Sequence, residues 1–399
     1  HTTMYQVPQI TDSIYYVGVN DRMKALFENM WSLPQGVAYN AYLIVDEQTT
    51  LIDTVDVCYS DIFFHKLDLI LQGRPLDYLI INHMEPDHGG SIGLLRKRYP
   101  ELKIVGNKKT FEMLRGFHEV KNGDALSIGG HEFSFLMAPM VHWPEVMFTY
   151  EQRNRVLFTA DAFGSFGALD GILRDSELGD RSAYLREMER YYACVIGKYG
   201  PFVQKALANM DKQGLTIDHL CPAHGVAWTP EGFGEARRLY DRLSRFEAED
   251  GVVILYGSMY GNTEQLADVI AQSLSAAGIK RIVCHNVSKS DPSAILADVF
   301  RYRGLIIGSP TYCGELFTPI AHLMNLIRIR DVKDRLYTAF GSYTWAPAAV
   351  KKLIPFAEEM KWEFVGEAVE LKMSDLSSVL DLSWALGQAM AARLLASKD

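Results

Sequence analysis

The segment INHMEPDHGG, residues 81–90, sets His83, Glu85, Asp87 and His88 within six positions, directly after the apolar run YLII of residues 78–81. Side chains of these types bind metal, and here they stand at the lip of a buried strand. Potential ligands recur three more times where an apolar strand meets a turn residue: His142 in MVHWP, Asp161 in FTADAFG and His224 in PAHG. Loops beyond strand ends are held by a rigid sheet, so their side chains converge without each being ordered separately. A lone His or Asp after a strand is usually a cap or a satisfied polar group. Seven together, four with nitrogen and three with oxygen donors, point to a metal site. His65, His118, His131, His219, His285 and His322 lack this context and read as surface or packing residues.

The stretch around these residues mixes short strands with helices. AYLIVDEQTTLIDTV (41–55) reads as two strands and a polar turn, LKIVGN (102–107) as a strand, and RSAYLREMERYYACVI (181–196) as helical. HEFSFLMAPMVH (131–142) alternates Phe133, Phe135 and Met137, the period of a half-buried strand. Polarity rises over FEAEDG (246–251), and a different grammar follows. GVVILY (251–256), GLIIGSPTY (304–312) and RLYTAFGSYTW (335–345) are strands running into loops. TEQLADVIAQSLSAAG (263–278) is a helix with Leu266, Ile270 and Leu274 on one face and Gly278 as its stop. Strands alternating with helices imply a parallel sheet. The domains are therefore expected at residues 1–249 and 250–399.

Composition narrows the function classes. A net charge of -9 argues against nucleic acid bound through its phosphates. Cys58, Cys194, Cys221, Cys284 and Cys313 are scattered, with no C-x-x-C, which excludes a rubredoxin-type site or a zinc ribbon. Buried structural thiols are expected for all but Cys313, together with a reducing, cytoplasmic setting. No apolar stretch reaches the length of a membrane span, no signal peptide is expected, and the leading HTT is set aside as a possible cloning remnant.

The pattern H-x-[EH]-x-D-H followed by His, Asp and His resembles the metallo-β-lactamase fold family over most of residues 1–245. The resemblance implies an αββα sandwich. Hydrolases of that family usually carry a second His where this chain has Glu85. A carboxylate there adds charge and hard oxygen character, which suits non-haem iron better than zinc.

In the second half, YGSMYGNTEQL (256–266) puts Ser258, Met259, Tyr260, Gly261, Asn262 and Thr263 between a strand and a helix N-terminus. Hydroxyls and free N–H groups there suit a phosphate monoester. Two more strand-end loops follow: Ser309, Pro310, Thr311, Tyr312, Cys313 and Gly314, then Ser342, Tyr343, Thr344, Trp345 and Ala346. Loops at the carboxyl ends of parallel strands are where such sheets bind ligands. The loop at 258–263 has no Lys or Arg, unlike a nucleotide P-loop. Residues 251–399 resemble flavodoxin, a doubly wound parallel sheet, and the resemblance implies FMN. Trp345 and Tyr312 stand where flavin-stacking aromatics are expected, with ordinary packing as the other reading of each.

The two halves together resemble the flavodiiron proteins, or A-type flavoproteins, over essentially the whole chain. By that resemblance His83, Glu85 and His142 hold one iron, Asp87, His88 and His224 the other, and Asp161 bridges them. His88 stands off the metal in some members. The family reduces dioxygen to water, nitric oxide to nitrous oxide, or both. Dioxygen reduction takes four electrons, which two ferrous ions and a flavin hydroquinone can store. In the family a head-to-tail homodimer, or a dimer of such dimers, brings one subunit's FMN beside the other's irons. Tyr191 or Tyr192 could donate hydrogen bonds near the site, or simply pack. A rubredoxin extension carried by some relatives is absent from the sequence given, so the expected electron donor is rubredoxin or another reduced carrier. Gly257 replaces an acidic residue common in relatives, which is expected to loosen the 258–263 loop. The rival readings are a zinc hydrolase fused to a flavin domain and a non-catalytic O₂ or NO sensor.

Overall fold

The computed structural model describes residues 7–396. The chain divides into two compact units between Asp241 and Arg242. The first unit carries two principal sheets. One runs β1 (Gln9–Thr11), β2 (Ile14–Tyr16), β3 (Tyr42–Ile44), β4 (Thr50–Ile52), β5 (Tyr78–Ile80), β6 (Lys103–Gly106) and β7 (His118–Glu119). It is antiparallel through β4 and parallel from β4 onward. The other runs β8 (Ala125–Ser127), β9 (Glu132–Met137), β10 (Met147–Glu151), β11 (Val156–Phe158) and β12 (His219–Cys221). Its first three pairings are antiparallel and the β11–β12 pairing is parallel.

Strands β3, β4 and β11 are buried at every residue. That explains why their sequences are apolar without alternation. Contacts tie the two sheets together: the Tyr42 ring lies 5.1 Å from that of Phe158, and its hydroxyl donates to the Pro222 carbonyl at 2.8 Å. The buried layer thus meets at the strand ends that carry the candidate ligands.

In the second unit β13 (Glu249–Tyr256), β14 (Ile282–Asn286), β15 (Tyr302–Tyr312), β16 (Leu336–Tyr343) and β17 (Glu363–Phe364) form a parallel sheet. The order is β14-β13-β15-β16-β17, with β18 (Val369–Lys372) also parallel to β16. Leu266, Ile270 and Leu274 of the helix Asn262–Ala276 are fully buried in one core with Ile254, Ile306 and Phe340. Each such side chain contributes about 1.5–3 kcal/mol by leaving water.

Two expectations change, for the helix over 181–196 and for two of the cysteines, while His131 keeps its reading as a packing residue. The helix read over 181–196 is α only from Arg181 to Tyr191; Tyr192–Ile196 is a π-helix, a form that occurs mostly as a single-turn bulge. Cys58 and Cys284 are exposed rather than buried, because one sits in a short surface turn and the other on the edge strand β14. His131 is 1% exposed and bonded on both ring nitrogens, to Ser13 Oγ at 2.7 Å and to Asp46 Oδ2.

Burial pushes the Asp46 carboxyl up, but His131 and the N–H groups of Glu47, Gly130 and His131 outweigh it and hold it at about 2. A depressed carboxylate pKa stabilises the fold above its unfolded value and stops doing so as the group protonates. Asp46→Asn is therefore expected to lower stability near neutral pH. The deficit should shrink as pH falls from 3.8 towards about 2, followed by denaturant melts at each pH. A deficit that stays constant over that range contradicts this assignment. No helix of the described residues is long and apolar enough to cross a membrane.

Candidate metal and flavin sites

Each candidate ligand leaves a strand end. His83 follows β5, and Glu85 caps the short helix Pro86–Gly89, which starts on Pro86 and carries Asp87 and His88. His142 lies in the turn between β9 and β10, Asp161 follows β11, and His224 follows β12. The seven side chains are all within 9% exposure. They gather as two groups, His83, Glu85, His142 and Asp161 in one and Asp87, His88 and His224 in the other. Within each group the donor atoms all lie within 4.8 Å of one another.

Asp161 faces both groups with different oxygens. Its Oδ2 lies 3.2 Å from His83 Nε2 and 3.0 Å from His142 Nε2. Its Oδ1 lies 3.1 Å from His88 Nε2 and 3.3 Å from His224 Nε2. Glu85 Oε2 completes the first group at 2.9 Å from His142 Nε2, and Asp87 Oδ2 the second at 3.2 Å from both His88 and His224.

The donor set fits a pair of cations. Both oxygens of Asp87 and Oδ2 of Asp161 are buried without a hydrogen-bond partner among the described residues. At the same time His88 Nε2 and His224 Nε2 face each other at 3.0 Å. Buried acceptors without donors are costly, and a cation at each group would remove that cost. Burial pushes the Glu85 carboxyl up, but the imidazoles of His142 and His83 outweigh it and hold it at about 2. Burial likewise disfavours charge on His83, and Asp161, Glu145 and Glu85 outweigh it and raise it well above the usual histidine value. Cation binding must displace those imidazole protons, so affinity falls as pH falls.

Further residues, all but Tyr191 without a sequence signal, hold the candidate ligands in place. His224 Nδ1 donates to the Ala38 carbonyl at 2.7 Å. Asn40 donates to the carbonyls of Pro222 and Gly225 at 2.9 Å each, and accepts from Tyr16 Oη at 2.8 Å. Gly225 has φ +80°, and a Cβ there would meet Tyr184 Oη at 2.3 Å, so this turn needs glycine. Glu145 Oε2 accepts from His83 Nδ1 at 3.2 Å and is itself held by Met84 N at 3.1 Å. Tyr191 Oη donates to the Asp161 carbonyl at 3.2 Å. Tyr192 is buried against Tyr240 instead, with ring centroids 5.0 Å apart. A recess of about 200 Å³ reaches the ligands Glu85 and Asp87 past Lys24, Phe27, Glu28, Tyr39 and Asp56.

The second unit holds a cleft of about 360 Å³ at the carboxyl ends of its strands. Ser258, Met259, Tyr260, Asn262, Thr263, Pro310, Thr311, Tyr312, Cys313, Ser342, Tyr343, Thr344 and Trp345 line it, and so does Met373, which carried no sequence signal. Gly261, Ser309, Gly314 and Ala346 do not line it, although they shape the loops that do. Ser258 Oγ accepts from Gly261 N at 3.0 Å, and Gly261 (φ +97°) caps the helix Asn262–Ala276. Ser309 Oγ accepts from Phe317 N at 3.0 Å. Thr263 Oγ1 meets Ser342 Oγ at 2.7 Å, and Thr311 Oγ1 accepts from the N–H groups of Ala348 and Ala349 at 3.1 Å each. Neutral donors stand at a helix N-terminus, while Trp345 is 88% exposed and Tyr312 46% exposed around the cleft. This chemistry fits a phosphate monoester joined to a planar apolar ring.

Gly257 lies against a packed aromatic ring. A Cβ there would meet Phe317 Cδ1 at 2.3 Å, so the Phe317 ring occupies the space of the missing side chain. Gly257→Asp is expected to displace that ring and weaken flavin binding about tenfold or more, by analogy with overpacking costs of about 1–3 kcal/mol. Flavin fluorescence titration checks this, and unchanged affinity contradicts it.

Residues 37–225 match the family described as ODP family beta lactamase, and residues 254–383 match Flavodoxin. A nitric oxide reductase of Moorella thermoacetica is 30% identical over 402 residues, covering 98% of this chain and 100% of that protein. The rubredoxin oxygen:oxidoreductase structure from Desulfovibrio gigas superposes with a TM-score of 0.95 at 26% identity, covering 98% of this chain and 100% of that one. The flavodiiron protein of Giardia intestinalis superposes at 0.91 with 25% identity, covering 98% and 97%. A lactamase frame with two groups of nitrogen and oxygen donors able to hold metal, joined to a flavodoxin sheet, defines a class of two-domain redox metalloproteins. Within that class, the chain belongs to the flavodiiron proteins.

Proposed function

We propose that this chain is an oxidoreductase that reduces dioxygen to water, nitric oxide to nitrous oxide, or both, at two non-haem irons served by FMN. The observation that carries the reading is Asp161, whose two oxygens turn to the two ligand groups separately. His83, Glu85 and His142 would hold one iron, Asp87, His88 and His224 the other, and Asp161 would serve both groups. Iron held by these residues would supply reversible one-electron redox chemistry. Met84 N and the His83 ring fix Glu145, Asn40 fixes the turn of His224, and Tyr191 fixes Asp161; together they keep the donors aimed before metal arrives. The iron domain is residues 1–249 and the FMN domain 250–399.

In the FMN domain the amide groups at Asn262 and Thr263 receive the phosphate, and Tyr312 and Trp345 flank the ring system. The remaining cleft residues Ser258, Met259, Tyr260, Pro310, Thr311, Cys313, Ser342, Tyr343 and Thr344 enclose it. A separate reduced carrier of the rubredoxin kind supplies electrons, and the working unit is a head-to-tail homodimer in the cytoplasm. A zinc hydrolase is disfavoured by Glu85 and by the flavodoxin-like cleft in the same chain. A sensor is disfavoured because both units are accounted for by a metal site and a flavin site.

The test is gas consumption by the holoprotein with a reduced rubredoxin, O₂ and NO being followed separately by electrode. Multiple turnovers with either gas support the reading. Hydrolysis of thioester or lactam substrates with neither gas consumed, or a single turnover only, overturns it.

A further inference from the structure

The two candidate half-sites have matching inner donors: two imidazoles, one carboxylate and one oxygen of Asp161 each. Their outer partners differ. His83 turns Nε2 towards Glu85 and Asp161, which leaves Nδ1 to donate to Glu145 Oε2 at 3.2 Å. Glu145 is fully buried and held by its neighbours, since Oε2 also accepts from Met84 N at 3.1 Å and its carbonyl accepts from Asn107 Nδ2 at 2.7 Å. Its Oε1 has no hydrogen-bond partner among the described residues, so His83 and Met84 are the donors its side chain has there. In the other half-site, His224 Nδ1 donates to the neutral Ala38 carbonyl, and His88 Nδ1 is buried without a partner. A carboxylate behind a ligating imidazole raises its basicity, whereas a neutral carbonyl does so less.

We propose that Glu145 is a positioning residue that makes the two irons inequivalent, giving the His83, Glu85 and His142 half-site the lower reduction potential. The inference rests on the di-iron reading above and deepens it. Each iron exchanges one electron between ferrous and ferric, so the electron richer half-site is oxidised first and reduced last.

The experiment uses the holoprotein, with iron counted by elemental analysis and the two one-electron couples followed by potentiometric titration with EPR detection. Glu145→Gln keeps the shape and removes the charge. It is expected to retain two irons and to raise the lower couple by at least a tenfold change in its equilibrium constant, about 59 mV for one electron. The upper couple stays in place, and Glu145→Asp restores part of the shift. Two irons with both couples unmoved in Glu145→Gln would overturn the inference while leaving the di-iron reading intact. Should the variant fail to fold, the wild-type protein still decides. Fully reduced, it is expected to give two Mössbauer doublets of equal area, and a single doublet overturns the inequivalence. Wild-type protein without iron overturns the parent reading and this inference with it, and elemental analysis alone tells that case apart.

Discussion

Replacing Asp161 with alanine is expected to leave neither half-site able to hold iron. Its Oδ2 faces His83 and His142, its Oδ1 faces His88 and His224, and among the described residues no other carboxylate is placed against both groups. Removing even an outer partner of a metal ligand costs about 10–100-fold in affinity or activity. Loss of the shared inner ligand should exceed that, dropping gas consumption by more than about 100-fold and iron content well below the wild-type level. The tie from Tyr191 goes to the main-chain carbonyl of residue 161 and survives the substitution, so the turn itself should keep its course. Flavin content should be unchanged, because the FMN cleft belongs to the other compact unit. A variant that keeps its iron and its rate contradicts the bridging role.

Glu85→His is the second substitution with a large expected effect. It puts an imidazole where the resembling zinc hydrolases carry one and removes one of three carboxylates from the seven candidate ligands. Glu85 Oε2 lies 2.9 Å from His142 Nε2 and 3.2 Å from His83 Nε2, so the change falls inside the first half-site. Fewer hard oxygen donors and less negative charge favour zinc relative to iron. Protein grown with both metals in equal supply should come away with zinc in place of iron at that half-site. Its O₂ or NO consumption should fall by about 100-fold or more, the scale of losing a group that stabilises charge at the reacting centre. Retention of two irons and a wild-type rate would show that the carboxylate does not set metal choice.

The candidate ligands stand out in the sequence because they cluster just beyond apolar strands beside turn residues, a local signal. What holds them is not local. Glu145 meets His83 across 62 positions, and Asn40 reaches the Pro222 carbonyl across 182. Nothing in either stretch alone marks such a pairing, since a buried carboxylate or amide looks like any polar residue in a loop. The same reason hid the partnership of Phe317 with Gly257, which made an unusual glycine read as a loosened loop. Met373 joins the flavin cleft from just beyond β18, a strand that carries no ligand motif. Periodicity found the buried face of the helix Asn262–Ala276, yet could not tell an α turn from the π turn at Tyr192–Ile196. Those two forms differ in backbone pairing, not in which residues are apolar.

The most direct test of the central claim is the metal and flavin content of the protein as purified from iron-replete growth. Elemental analysis and the spectrum of the released flavin are predicted to give about two irons and one FMN per chain, the occupancy that two ligand groups sharing Asp161 and one flavodoxin-like cleft imply. Zinc without iron would contradict the redox assignment of the ligand cluster, and iron without flavin would contradict the assignment of the cleft.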